Sequence, residues 1–240
     1  RTRRANRRFV AEHPDFPVPP PALAFDACNH TNWQVYHDSG ALHARLVGEL
    51  IEKYLPAGPL KICEWGCGPG RVIRHLRSGL AGRTVELFGT DYNSRSVAWC
   101  REHLPGIEFR GNGPGPPLPL ESGSLDALYA LSVFTHLSAE GHRQWIAEGF
   151  RVVRNSGLVI FTTHGDACLD RLLPGEQCQY RSGELVVRGG VAEGSKCFVA
   201  YHPPDYVRRE LLRGASVLAH LPSPAAYQMI QDVWVARKSP

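Results

Sequence analysis

The chain has 240 residues, 43% of them hydrophobic, which is ample for one core and fits one decorated domain more readily than two. No apolar run approaches the ~18 residues of a membrane span, and the first residues show no apolar signal-peptide region, so a cytoplasmic protein is expected. Seven scattered cysteines (Cys28, Cys63, Cys67, Cys100, Cys168, Cys178, Cys197) contain no C-x-x-C pair, which argues for reduced thiols rather than a disulfide or zinc framework.

The formal net charge of +4 is concentrated at one end. Arg1, Arg3, Arg4, Arg7 and Arg8 precede any acidic residue. Without those five, 22 of the 27 basic residues remain against 23 acidic ones. The body is therefore near neutral and a nucleic-acid groove in it is not expected.

In chain order, residues 1–25 are Arg-rich and then Pro-rich, and are expected to be extended or wrapped over the surface. Asp26 to Gly40 carries Trp33, Tyr36 and His37, either as packing of a helical cap or as a lid. Ala41 to Leu55 has Leu42, Leu46, Leu50, Ile51, Tyr54 and Leu55 on one face, the pattern of an amphipathic helix. Leu60 to Trp65 is a short apolar strand. Glycines then alternate at Gly66, Gly68 and Gly70, and Val72, Ile73 and Leu76 follow at helical spacing. Val85 to Thr90 is a second strand with Asp91 at its end. A helix capped by Asn93 or Ser94 runs to Leu104, and Ile107 to Arg110 is a short third strand. After a Gly/Pro-dense loop, Leu125 to Val133 reads as a central strand. Ser138 caps the next helix, and Leu158 to Thr163 is the fifth strand. A helix near Asp166 to Leu173 should stop at Pro174-Gly175. Leu185–Arg188 and Lys196–Tyr201 form a hairpin, Pro203 opens a helix to Leu212, and Val217–Leu221 and Ile230–Ala236 close the chain. The expected organisation is an arm and helical cap over 1–58, then a doubly wound α/β domain over 59–240 with an insertion at about 166–202.

A strand, a glycine turn and a helix open a nucleotide-binding unit: without side chains, the turn lets a ligand touch the main chain. The spacing Glu-x-Gly-x-Gly-x-Gly, Glu64 to Gly70, differs from the G-x-G-x-x-G of dinucleotide sites. Asp91, about twenty residues on, can accept both ribose hydroxyls of a nucleoside or simply help cap the next helix.

Glu64-Trp65-Gly66-Cys67-Gly68-Pro69-Gly70-Arg71 resembles motif I of the class I S-adenosylmethionine (SAM)-dependent methyltransferases. Phe88-Gly89-Thr90-Asp91-Tyr92 looks like that family's acidic motif. Pro117 to Leu120, Ser124-Leu125-Asp126, Ser132 to Leu137, Trp145, Arg151-Val152-Val153 and the closing Gln231 to Val235 extend the likeness. Asn155-Ser156-Gly157 departs from the usual Pro-Gly-Gly. The resemblance implies a mostly parallel seven-stranded Rossmann-like sheet, SAM as cofactor and S-adenosylhomocysteine (SAH) as product. By it, Gly66, Cys67 and Gly68 approach the methionine part, Glu64 its amino group, Asp91 the ribose and Tyr92 the adenine. Asn112 and Gly113 meet the adenine edge, and Leu131 and Ser132 line the sulfonium side. Arg71 either pairs with the SAM carboxylate or lies solvated.

Three histidines follow strand ends, where an imidazole can serve as general base: His136 first, then His164, then His202. Each can equally be structural. No metal site is expected. The expected reaction is methyl transfer to a small-molecule acceptor, with a hydroxyl oxygen preferred, and no nucleic acid or membrane partner. The alternatives are a non-catalytic SAM-binding regulatory or scaffold module and, further off, an NAD-dependent oxidoreductase.

Overall fold

The computed structural model describes residues 2–80 and 82–238, so Arg1 of the basic arm lies outside the described residues. The chain divides into two compact units, Arg1–Gly111 and Asn112–Pro240.

The first unit begins with three helices, α1 (Thr2–Glu12), α2 (Pro21–Cys28) and α3 (Trp33–Tyr54). Residues 1–25 were expected to be extended or wrapped over the surface; α1 and the start of α2 are helical, and the non-helical stretch 13–20 lies between them. Ala and Arg are strong helix formers, and the two ends of α1 and α2 are separated by the proline run. What holds α1 is Phe9, 2% exposed, packed in a cluster with Ala24, Trp33 and Tyr36. Asn6 adds two bonds: its amide donates to Thr31 O at 2.7 Å and its oxygen accepts from Trp33 N–H at 3.0 Å. The long helix starts earlier than Ala41, because Asn32 caps it by accepting from Gln34 and Val35 N–H.

The strands of this unit are β1 (Leu60–Trp65), β2 (Val85–Asp91) and β3 (Glu108–Gly111), with α4 (Ile73–Gly79) and α5 (Ser94–His103) between them. β1 lies parallel to β2, with Leu60 beside Val85, and β2 parallel to β3. Parallel strands buried on both faces read as near-continuous apolar runs, as β1 does.

The second unit holds β4 (Leu125–Ala130), α6 (Ala139–Val152) and β5 (Val153–Thr163), with β4 parallel to β5. Ser138 caps α6, as expected, by accepting from Gly141 N–H at 3.0 Å. A short 3-10 turn over Asp166–Arg171 leads to α7 (Pro174–Arg181). Pro174 was expected to end a helix and instead begins one, since its missing N–H and fixed φ cost nothing at a first helical position. β6 (Val186–Arg188) and β7 (Val199–Tyr201) pair antiparallel as a separate hairpin. α8 (Pro204–Tyr206) runs into a π-turn, Val207–Leu211. β8 (Ser216–Leu221) and β9 (Asp232–Arg237) close the chain, with β9 antiparallel to both β5 and β8. The seven main strands make a mostly parallel α/β sheet in the order β3-β2-β1-β4-β5-β9-β8.

Candidate active site

In the first unit, the chain leaves β1 through a turn in which Gly66, Gly68 and Gly70 all have positive φ, at 74°, 50° and 67°. A side chain would strain each of these positions, so the glycine spacing is a backbone requirement. The turn is tied to β2: Gly66 and Cys67 N–H both donate to Thr90 O, at 2.8 and 3.1 Å. Glu64, at 4% exposure, accepts from Ile73 N–H at 3.0 Å and so caps α4.

Asp91 ends β2 and faces this turn. One carboxylate oxygen accepts from Gly68 N–H and the other from Asn93 N–H, both at 2.7 Å. Burial pushes its carboxyl above the usual carboxylate range. The Asn93 and Gly68 bonds work against that shift, and the charge of Asp26 adds to it. Each oxygen is fixed in direction by one main-chain donor and keeps lone-pair capacity for another.

The carbonyl side of the turn is occupied by side chains. Tyr36 hydroxyl donates to Pro69 O at 3.1 Å and Arg74 donates to Pro69 O at 3.0 Å and Gly70 O at 2.9 Å. Cys100 thiol donates to Gly68 O at 3.4 Å. α3 presses so close that a Cβ on Gly40 would lie 2.2 Å from Arg71 O. A Cβ on Gly68 would lie 3.3 Å from the Ala27 side chain, so α2 also lies against the turn.

The other expected cofactor residues fall as follows. Arg71 is half-buried, and its guanidinium donates to Ser39 Oγ at 3.2 Å and faces His43 Nδ1 at 3.3 Å. Tyr92 is exposed, at 57%. In the second unit, Asn112 and Gly113 begin the loop before β4, and Asn112 amide donates to Gly113 O at 2.7 Å. Leu131 and Ser132 directly follow β4, and Ser132 has φ 59°, an uncommon conformation for a residue with a side chain.

The three histidines differ sharply in surroundings. His136 Nδ1 donates to Phe198 O at 2.7 Å, because a carbonyl can only accept, and burial lowers its pKa. His164 Nδ1 likewise donates to Ala200 O at 3.0 Å, and burial brings its pKa down to about 4. His202 is wholly buried, with Nε2 3.1 Å from His142 Nε2, and burial takes its pKa well below the usual imidazole range. His136 and His164 thus share one arrangement: Nδ1–H is anchored and Nε2 carries the lone pair. His202 is embedded among other rings, with Tyr206 at 6.4 Å.

Sequence reasoning missed Asn93 as the second donor to Asp91 and Ala27 beside the glycine turn. Asn93 carried a signal, as a cap residue two places past the strand end; Ala27 carried none.

Residues 62–157 match a family model described as a methyltransferase domain. A tRNA N(3)-methylcytidine methyltransferase of Schizosaccharomyces pombe is 26% identical over 123 residues, 48% of this chain and 40% of that protein. A malonyl-acyl-carrier protein O-methyltransferase of Methylococcus capsulatus is 29% identical over 143 residues, 58% of this chain and 50% of that protein. The chain therefore spans about half the length, or less, of these curated relatives. Among solved structures, magnesium protoporphyrin IX methyltransferase from Synechocystis PCC 6803, crystallised with SAH, aligns with TM-score 0.58 at 15% identity, over 98% of this chain and 96% of that one. Residues 62–157 are thus similar to methyltransferase domains, and the chain has the fold of solved SAM-dependent methyltransferases. Among the described residues no group of His, Cys, Asp or Glu is arranged to hold a metal ion, and no helix is long and apolar enough to cross a membrane.

Proposed function

We propose that this protein transfers the methyl group of SAM to a hydroxyl oxygen of a small-molecule acceptor. The observation that carries the reading is Asp91: each of its oxygens is aimed by a main-chain N–H, Gly68 on one side and Asn93 on the other, beside a turn of left-handed glycines. Such a carboxylate suits the two hydroxyls of a ribose. Glu64, buried beside the turn and accepting from Ile73 N–H, is the residue that the resemblance places toward the SAM amino group.

The sulfonium is an activated donor. The enzyme's part is to hold it in line with the acceptor oxygen, and orientation alone can supply roughly 7–11 kcal/mol. As the oxygen bonds to carbon it becomes strongly acidic, so even a weak base can remove its proton. His164 and His136, neutral and with Nε2 lone pairs, have the right protonation state for that task. For His202 we propose a packing role, since both its burial and its contact with His142 favour a neutral ring held within the core.

The named relatives act on very different acceptors, one on tRNA cytidine and one on a malonyl carrier protein. The small-molecule preference rests instead on the near balance of charge in this chain's body, 22 basic residues after the N-terminal five against 23 acidic ones. Calorimetry with SAM, SAH and NAD tests the cofactor: SAM and SAH should bind and NAD should not. Tritiated methyl transfer from SAM into separated RNA, protein and small-molecule fractions of a cell extract tests the acceptor. Label only in the RNA or protein fraction would overturn the small-molecule reading, and label in none would favour a regulatory SAM-binding module.

A further inference from the structure

Within the second unit, one hydrogen-bonded chain joins residues that follow β4, end β5 and precede β9. Ser132 N–H donates to Thr162 Oγ1 at 2.8 Å. Thr162 has a single hydroxyl proton and gives it to Gln231 Oε1 at 2.6 Å. Ser132 hydroxyl donates to the same oxygen at 3.0 Å. The Gln231 amide nitrogen stands 3.5 Å from His164 Nε2, and His164 Nδ1 is 3.0 Å from Ala200 O.

Both ends of this chain fix its polarity. Ala200 C=O can only accept, so His164 carries its proton on Nδ1 and presents a lone pair at Nε2. Gln231 must then turn its N–H toward that lone pair and its oxygen toward the two hydroxyls. The reversed amide would set oxygen against lone pair. At the other end, a main-chain N–H occupies Thr162 Oγ1 and directs the Thr162 proton outward to Gln231. The Gln231 to His164 separation lies at the far edge of hydrogen-bond reach, so neither group is fully satisfied by the other. The chain runs from buried Thr162 through half-buried Gln231 to exposed Ser132.

We propose that Gln231 is a positioning residue for His164, and that the two together recognise an acceptor whose reacting oxygen carries a hydrogen. This rests on the methyl-transfer reading above. An alcohol or phenol gives its hydrogen to His164 Nε2 and accepts the Gln231 N–H at the same oxygen. In the transfer, an oxygen lone pair forms the O–CH3 bond as the CH3–S bond breaks, and that bonding pair returns to sulfur. The O–H pair stays on oxygen while the proton passes to Nε2. The imidazolium then releases its proton to water. A carboxylate brings no hydrogen and sets its lone pair against that of Nε2, so it is rejected.

The groups around His164 are the Ala200 carbonyl, the Tyr201 ring at 5.3 Å, and the charges of His136 and Arg171, both of which oppose protonation; His202 N–H donates to His164 O. The test uses the full chain with 15N-labelled histidine, His164 being assigned with His164→Gln. At pH 7 the wild type should show His164 as the Nδ1–H form with a bare Nε2. Gln231→Glu, nearly isosteric, places a carboxylate beside Nε2 and should favour a second proton there while Nδ1–H stays on Ala200 O, raising the His164 midpoint by roughly a unit or more. Millimolar phenol should shift the Nε2 signal saturably and benzoate should not. An Nε2–H tautomer in the wild type, an unchanged His164 in Gln231→Glu, no response to phenol, or an equal response to benzoate would each overturn the proposal. SAH calorimetry on the same samples separates the two ideas. Absent SAH binding sinks the methyl-transfer reading and with it the acceptor role drawn here, whereas intact SAH binding with His164 indifferent to Gln231→Glu sinks only this one.

Discussion

Asp91 shows how one side chain serves structure and binding together. Its oxygens are oriented by two main-chain donors from opposite directions, Gly68 in the turn and Asn93 at the start of α5. Bonds to a charged acceptor are worth about 1.5–3 kcal/mol each. Asp91→Asn keeps the shape, replaces one oxygen by a donor and meets an N–H with an N–H. SAH affinity should fall about 10- to 100-fold by calorimetry. Unchanged affinity would remove Asp91 from the ribose. Gly40 tests a different contact. Gly40→Ala would drive a Cβ to 2.2 Å from Arg71 O, and main chain cannot swing aside as a long side chain can. Overpacking of this kind costs roughly 1–3 kcal/mol, so both thermal stability and SAH affinity should drop. A variant with wild-type melting would mean that α3 sits less tightly on the turn than described.

At the scale of the element, α1 is the informative case. Its arginines are exposed, and Arg8 pairs with Glu12 one turn on, so they contribute little to holding the helix down. Phe9 does that, with the two Asn6 bonds. Phe9→Ala should cost roughly 3–5 kcal/mol of local packing and free the helix from the Trp33 and Tyr36 cluster. Limited trypsin digestion would then cut at Arg3, Arg4, Arg7 or Arg8 well before the wild type is cut. Equal digestion rates would show that α1 is held by something other than Phe9. α7 makes the complementary point about Pro174: a residue that breaks a helix from within is well suited to start one.

The whole molecule carries an acid-sensitive core. Burial lowers His75, His142 and His164 each to about 4, and takes His202 well below the usual imidazole range. Unfolded, each titrates near 6.5. As pH falls below 6.5 the unfolded chain binds protons that the folded chain refuses, so stability is full above about pH 7 and is lost progressively toward pH 4. The slope is about 1.4 kcal/mol per pH unit for each such histidine. Urea midpoints should therefore fall steeply between pH 6.5 and 5, a window above that of the lowered carboxyls such as Glu176, whose pKa is about 2. A flat profile there would mean that the rings are hydrated.

Much of this was legible in the residues. β1 lies at Leu60–Trp65 as its apolar run demands, the glycine spacing required a left-handed turn, and Asp91 stands where β2 ends. These features are local: period, capping and φ are written in a few neighbouring residues, so sequence by itself determined the α/β class, the order of the sheet strands along the chain, and the methyltransferase likeness of the central segment. The remainder depended on residues far apart in sequence. Nothing adjacent to Phe9 announces that it packs on Tyr36, and nothing near Gln231 points to Thr162 or His164, 69 and 67 positions away. Only the tertiary structure decided that the basic arm is a docked helix, that Arg71 is engaged by α3, and which nitrogen of His164 is left bare. Partner choice over such distances is set by which strand ends the sheet brings together, a property of the folded whole.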